Sequence, residues 1–93
     1  MVIGVCTMQL QIPESLSLKD KRRVLQSLIK RIRNHFNVSV TEVDHKDSRV
    51  WAKLAIACVS SDGEFAMRTL NHIVAMIEKD PKIVVEDYSV ELL

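Results

Sequence analysis

The sequence predicts an α+β fold in which two helices cover one face of a four-stranded antiparallel sheet. Three observations carry this prediction. Residues 2–12 alternate between apolar and mixed positions, which is the period of a strand. Residues 18–36 and 65–77 carry apolar residues at helical spacing. Three further strand-like runs, at 36–43, 51–60 and 83–92, complete the order β-α-β-β-α-β.

The first strand and the first helix are separated by a loop that holds both a strand breaker and a helix cap. Pro13 ends the strand, and Ser17 offers the hydroxyl of a helix N-cap. Asp20, three residues after Ser17, resembles the acid of a capping box. The apolar face of the strand comprises Val2, Gly4, Cys6, Met8, Leu10 and Ile12. The apolar stripe of the helix comprises Leu18, Val24, Leu25, Leu28, Ile29, Ile32 and Phe36.

The remaining elements follow without a linker or a repeat. Residues 36–43 are rich in β-branched side chains, and residues 44–48 form a polar turn. The third strand, residues 51–60, has one apolar face, made of Ala52, Leu54, Ile56 and Cys58. Residues 60–63 begin a second helix, which Asp80 and Pro81 end. Residues 83–92 then make the fourth strand.

Right-handed crossovers convert this order into the split βαβ arrangement, a ferredoxin-like sandwich with strand order 4-1-3-2. At 93 residues the chain forms a single domain, residues 1–93. The topology leaves one face of the sheet uncovered. It also places the loop before the first helix beside the turn between the second and third strands.

The first helix concentrates positive charge. Residues 19–33 contain seven cations and one acid, a formal charge of +6 in a chain of net charge +1. Helix N-termini favour acids, so Lys19, Lys21 and Arg22 in the first turns destabilise the helix unless an anion offsets them. We expect that anion to come either from the protein itself or from a ligand.

Two interpretations of this helix stay open. In the first, it binds a phosphate or a nucleic-acid backbone. The candidate residues are Lys19, Lys21, Arg22, Arg23, Lys30 and Arg33. In the second, the cations form a solvated face, with Lys21 or Arg22 paired to Asp44 or Asp47. Lys21 falls on the apolar side of the helix, where its stem packs while its ammonium finds a partner.

The uncovered sheet face predicts an interface. RNA-recognition motifs stack bases on aromatic side chains of the two central strands, but the outward positions here offer no aromatic pair. They are mostly small and apolar, which favours burial in a homodimer or against another protein. The predicted interface residues are Ile3, Val5, Ala55, Ala57 and Val59.

The sequence offers little support for catalysis. Its only two glycines, Gly4 and Gly63, form no phosphate loop, and its three histidines lie at no metal-ligand spacing. We therefore expect no cofactor and no metal. No apolar run is long enough to span a membrane. The first residues already alternate like a strand, so we expect no signal peptide, a cytoplasmic protein and two buried, reduced thiols at Cys6 and Cys58.

Several segments together resemble the YlxP-like family, also known as domain of unknown function 503. Residues 17–23 read Ser-Leu-Lys-Asp-Lys-Arg-Arg, residues 36–40 read Phe-Asn-Val-Ser-Val, and residues 59–62 read Val-Ser-Ser-Asp. The pairs Ser27-Leu28 and Glu42-Val43, together with Trp51, complete the pattern.

The resemblance implies a small bacterial protein with a ferredoxin-like fold and no defined catalytic residues. It also implies a role near RNA or the ribosome, because genes of this family often lie beside those for translation initiation and ribosome maturation factors. The basic opening of the family corresponds here to Lys19, Lys21, Arg22 and Arg23.

We therefore expect a non-enzymatic module that contacts RNA or a ribosomal particle through its first helix. The alternative is a homodimeric protein-interaction or assembly module without nucleic-acid binding. A third interpretation, a small-ligand regulatory domain, is weaker because residues 13–16 lack the glycine that such sites use after the first strand.

Overall fold

The computed structural model describes residues 1–93 and contains the six predicted elements in the predicted order. The strands are β1 (Val2–Gln11), β2 (Ser39–Asp44), β3 (Trp51–Ser60) and β4 (Val84–Leu92). The helices are α1 (Leu18–His35) and α2 (Gly63–Glu78). They connect β1 to β2 and β3 to β4, as the βαββαβ prediction requires.

The strands form one antiparallel sheet in the order β2-β3-β1-β4. This is the predicted order read from the opposite edge, so the predicted ferredoxin-like topology is confirmed. β1 and β3 pair without a break from Val2 opposite Ser60 to Gln11 opposite Trp51. The two outer strands each carry an irregularity in their pairing, next to Leu10 for β4 and between Glu42 and Asp44 in β2.

Both helices pack on the inner face of the sheet and enclose a single hydrophobic core. α2 contacts β1, β3 and β4, whereas α1 lies towards β2. Eighteen buried hydrophobic residues form one cluster. Its fully buried members include Met8, Leu10, Leu28, Ile32, Leu54, Ile56, Leu70, Ile73 and Ile77. Alternation along the strands and helical spacing along α1 and α2 place these residues on the inner side.

The predicted capping box at the start of α1 is formed in part, because the Asp20 carboxylate bonds to the N–H before the N-cap residue instead of to that of Ser17. The Ser17 hydroxyl accepts a hydrogen bond of 3.1 Å from the Asp20 backbone N–H. The Asp20 carboxylate in turn accepts one of 3.1 Å from the Leu16 N–H. These bonds satisfy exposed donors at the N-terminus and place one carboxylate in the first turn, which offsets part of the cost of the neighbouring cations.

The ends of three strands differ from the prediction, and backbone bonds of a helix cap or a turn explain two of the differences. β2 begins at Ser39 because Phe36 is the C-cap of α1 and donates its N–H to Ile32. β4 begins at Val84 because the Ile83 N–H donates to Asp80 in the turn after α2. β1 ends at Gln11, although the Ile12 N–H still donates to Val50 at 2.7 Å.

The two cysteines are buried and free, and they do not face each other across the sheet. Cys6 pairs with Ile56, whereas Cys58 pairs with Gly4. A Cβ atom on Gly4 would lie 3.2 Å from Cys58 Sγ and 3.0 Å from a methyl group of Leu70. The glycine is therefore required by close packing of α2 and Cys58 against β1.

Candidate nucleic-acid interface

The outer face of α1 carries five exposed cations. Because Leu25, Leu28 and Ile32 turn inward to the core, the opposite side of the helix is solvent-facing over its whole length. The exposed cations are Lys19, Arg22, Arg23, Lys30 and Arg33. Five of the six residues predicted for an anion or nucleic-acid site therefore share one accessible surface, which we call the α1 basic face.

No cation of the α1 basic face forms an ion pair with an acid of the chain. The structure contains two ion pairs within 4.0 Å, and neither involves any of the five cations. Arg33 Nη2 donates to the Val40 carbonyl at 3.0 Å, which fixes its side chain without neutralising its charge. The five positive charges are therefore available to an external anion.

The prediction was wrong for Lys21, the sixth predicted site residue. Its side chain is fully buried, and its ammonium donates to the carbonyls of His45 at 2.7 Å and Trp51 at 3.0 Å. Glu42 Oε2 lies 3.3 Å from the same nitrogen but outside hydrogen-bond geometry. Lys21 is held by the protein and is not presented to a ligand.

The predicted pairing of Lys21 or Arg22 with Asp44 or Asp47 is also wrong. Neither aspartate lies within ion-pair distance of any cation, and the acid beside Lys21 is Glu42. Glu42 stands opposite Leu54, on the inner face of the sheet. The inward position of Glu42 could have been predicted from the sequence, since strand alternation puts Glu42 on the same side as the buried Val40.

The turn between β2 and β3 is shaped around the Lys21 ammonium. His45 adopts a left-handed backbone conformation with φ of 63°, and its carbonyl accepts both the Lys21 ammonium and the Ser48 N–H at 2.9 Å. The predicted proximity of this turn to the start of α1 is thus confirmed. Lys21 therefore ties α1 to the turn between β2 and β3.

The predicted interface residues lie on the uncovered sheet face. Ile3 pairs with Val59 and Val5 with Ala57, while Ala55 stands opposite Thr7. The side chain of Val59 is 68% exposed, whereas the other four residues are half-buried by their neighbours. The terminal Leu93 extends this apolar group, because its N–H donates to the Ile3 carbonyl at 2.8 Å.

Three acids of the chain lie on β4, away from the α1 basic face. β4 carries Glu86, Asp87 and Glu91, all exposed, and no cation. β4 is the edge strand at the far side of the sheet from β2, towards which α1 packs. The molecule therefore has a basic helix near one edge and an acidic strand at the other.

The sequence profile of a family described as "protein of unknown function (DUF503)" matches residues 3–90. The chain belongs to this family. It is 34% identical over 82 residues to the uncharacterised protein YlxP of Bacillus subtilis (strain 168), an alignment that covers 88% of this chain and 89% of that protein. The match confirms the family resemblance seen in the sequence.

Solved structures similar to this DUF503 chain support the fold alone. The de novo designed protein Foldit4 aligns with a TM-score of 0.56 and 18% identity over 98% of this chain and 96% of its own. The de novo designed ferredoxin-fold protein LFR1 1 aligns with a TM-score of 0.54 and 13% identity, over 98% of this chain and 85% of its own. Designed proteins share the architecture without sharing ancestry, so they say nothing about activity.

One ion pair of this DUF503 chain was not predicted from the sequence. Arg31 on α1 pairs with Asp80, in the turn after α2, at 2.6 Å. Burial raises the pKa of Asp80, but hydrogen bonds from the Lys82 N–H and from Arg31 lower it further, so its net pKa is below the usual value. The contact spans 49 positions of the chain, and no local pattern indicates it.

Neither helix is both long and apolar enough to cross a membrane. No three His, Cys, Asp or Glu side chains come together where they would hold a metal ion.

Proposed function

We propose that this protein is a non-enzymatic, cytoplasmic RNA-binding module that contacts the phosphate backbone of RNA, free or within a ribosomal particle, through the α1 basic face. The observation that carries the proposal is the set of five exposed cations without a carboxylate within 4.0 Å. Binding by such a surface is electrostatic and reads no base sequence by itself.

The dimensions of the face support contact with several phosphates. Lys19 and Arg33 are 14 residues apart on one continuous helix, which corresponds to about 21 Å at the rise of an α-helix. Arg22 and Lys30 lie between these two ends on the same side. A straight row of cations of this length follows a backbone better than it surrounds a single small anion.

The thiols give no support to an enzymatic alternative. Burial raises the pKa of Cys6 to about 11, so its thiol stays protonated and is a poor nucleophile at neutral pH. Cys58 is also buried.

The proposal is tested by replacing Arg22, Lys30 and Arg33 together with Gln. We expect the affinity for a single-stranded oligouridylate to fall, and the slope of log affinity against log salt to shrink from about −3.5 for five contacts to about −1.4 for two. Fluorescence anisotropy between about 50 and 200 mM salt measures both quantities.

The matched control removes three cations from other surfaces, with Lys46, Lys53 and Arg68 changed to Gln. It lowers the net charge equally but leaves the α1 basic face intact, so the salt slope should stay at its original value. Equal losses in the two triple variants would show that only net charge matters. An unchanged slope in the α1 variant would rule out the proposed face.

The second candidate function is a homodimeric assembly module without nucleic-acid binding. The exposed Val59, continuous with Ile3 and Leu93, favours it, since such a group on an uncovered sheet is suited to burial against a second copy. A two-fold axis brings the same patch of both copies together.

A Val59→Asp variant tests this candidate by placing a charge in the proposed contact. We expect a salt-insensitive dimer of the natural protein to become a monomer in analytical ultracentrifugation. Glu64→Gln, at an exposed position on α2, serves as the control and should leave the mass unchanged. A natural protein that sediments as a monomer at high concentration would exclude the homodimer.

A further inference from the structure

A cationic cleft separates α1 from the turn that follows α2. Its volume is about 470 Å³. Its apolar walls are Val24, Met76 and Pro81, and its polar lining consists of Arg23, Ser27, Arg31, Lys79, Asp80 and Lys82. Only Arg23 is shared with the α1 basic face, so the cleft is a separate surface.

The single carboxylate that lines the cleft, that of Asp80, already accepts hydrogen bonds from within the protein. Asp80 Oδ2 accepts from Arg31 Nη2 at 2.6 Å, and Asp80 Oδ1 accepts from the Lys82 backbone N–H at 2.9 Å. Asp80 therefore balances Arg31. The charges of Arg23, Lys79 and Lys82 have no acid within ion-pair distance, which leaves the cleft with about three uncompensated positive charges.

The guanidinium of Arg31 has an unused donor. Its Nε is buried and has no hydrogen-bond acceptor in the protein. A buried donor without an acceptor is costly and uncommon in folded proteins. An anion that draws the guanidinium towards the cleft supplies the missing acceptor, and the planar arginine fork suits phosphate oxygens.

The neighbouring depression indicates which end of the cleft holds the anion. It shares Arg23, Val24 and Lys82 with the cleft but carries the carboxylates of Glu14 and Asp20. Those acids repel an anion from that side. The favourable position is consequently between Arg31, Lys79 and Lys82, beside the Ser27 hydroxyl.

We propose that this cleft binds the 5′-phosphate of a nucleoside monophosphate, either free or at the 5′ end of an RNA. A phosphate monoester carries a charge of about −1.5 to −2 near neutral pH, which matches the uncompensated cations better than a carboxylate does. The volume exceeds that of one phosphate and is in the range of pockets that enclose small organic ligands. Val24, Met76 and Pro81 offer apolar contacts to the nucleoside.

The first test titrates the ¹⁵N-labelled full chain with adenosine 5′-monophosphate and, separately, with adenosine. We expect saturable NMR shifts with the monophosphate at the Arg31 Nε–H, Ser27 and Lys82 signals, and none with adenosine. The Arg31 signal is decisive because it reports directly on the unused donor. No saturable shift, or equal shifts with adenosine, would overturn the proposal.

A pair of variants assigns the effect to the cleft. Lys79→Gln combined with Lys82→Gln should weaken binding of adenosine 5′-monophosphate by about tenfold or more. The matched control, Lys46→Gln with Lys53→Gln, should leave the affinity unchanged. Both target lysines are exposed, so their loss should not unfold the protein. Equal affinity in the two double variants would contradict the site.

A further experiment distinguishes a free nucleotide from the 5′ end of an RNA. It uses the variant in which Arg22, Lys30 and Arg33 are changed to Gln, because this variant binds the RNA phosphate backbone more weakly. Tighter binding of a 5′-phosphorylated RNA than of its 5′-hydroxyl counterpart identifies an RNA end. Binding of adenosine 5′-monophosphate without that preference identifies a free nucleotide. Because the cleft readouts use Arg31, Lys79 and Lys82, they can succeed or fail independently of the α1 basic face.

Discussion

At the scale of single residues, Lys21 shows which contacts can be predicted from a sequence and which cannot. Helical spacing correctly placed its stem on the apolar side of α1. The acid beside it was wrongly expected among the turn residues Asp44 and Asp47, whereas the nearby acid is Glu42. Two of its three oxygen neighbours are the backbone carbonyls of His45 and Trp51. Every residue has a backbone carbonyl, so the sequence does not indicate which of them bind the ammonium.

Replacing Lys21 with Met tests its structural role. The variant keeps the volume but leaves Glu42 and two part-buried carbonyls without the ammonium. We therefore expect a loss of about 3 kcal/mol in the free energy of unfolding. Urea denaturation measures this loss. RNA affinity of the folded fraction should stay unchanged, since the side chain is fully buried. A variant that is as stable as the natural protein but binds RNA more weakly would show that Lys21 belongs to the RNA-binding site.

At the scale of elements, the sequence was sufficient to locate all six and to predict their topology. Alternation and helical spacing identify which face is buried, and right-handed crossovers leave few ways to assemble the result. Two strand ends moved because backbone bonds of a helix cap or a turn intervene, at Phe36 and Ile83. The contact between Arg31 and Asp80 was missed because it joins separate elements far apart in the chain.

The Arg31–Asp80 contact should make stability depend on pH in the acid range. The pKa of Asp80 is lower in the folded protein than its ordinary value of 3.8. Its stabilising effect is therefore complete above that ordinary value and is lost as the pH falls from there through the lowered pKa.

We expect Asp80→Asn to cost about 1 kcal/mol near neutral pH, a modest value because the Arg31 side chain is partly exposed. The difference between the two proteins should shrink below about pH 4. Urea titrations between about pH 2 and pH 7 measure it, with Asp47→Asn, an exposed and unpaired site, as the control. A difference that grows as the pH falls would contradict the assignment.

At the scale of the whole molecule, the nearly neutral net charge conceals a separation of charge. The sequence indicated that residues 19–33 are basic and the remainder acidic. Only the fold shows that β4, with Glu86, Asp87 and Glu91, is the edge strand opposite β2. A ligand with many phosphates is therefore attracted by one side of the protein and repelled by the other, which favours a single orientation on RNA.

Neutralising β4 tests this separation at two salt concentrations, with Glu86 and Glu91 changed to Gln and Asp87 to Asn. Three strand spacings separate β4 from β2, a distance of about 14 Å. This exceeds the screening length of about 8 Å at 0.15 M salt but is well below the 30 Å or so at 0.01 M. We expect RNA affinity to be unchanged at the higher salt concentration and to rise at the lower one. An equal increase at both concentrations would mean that RNA lies directly against β4, and it would displace the binding surface from α1 to the opposite edge of the sheet.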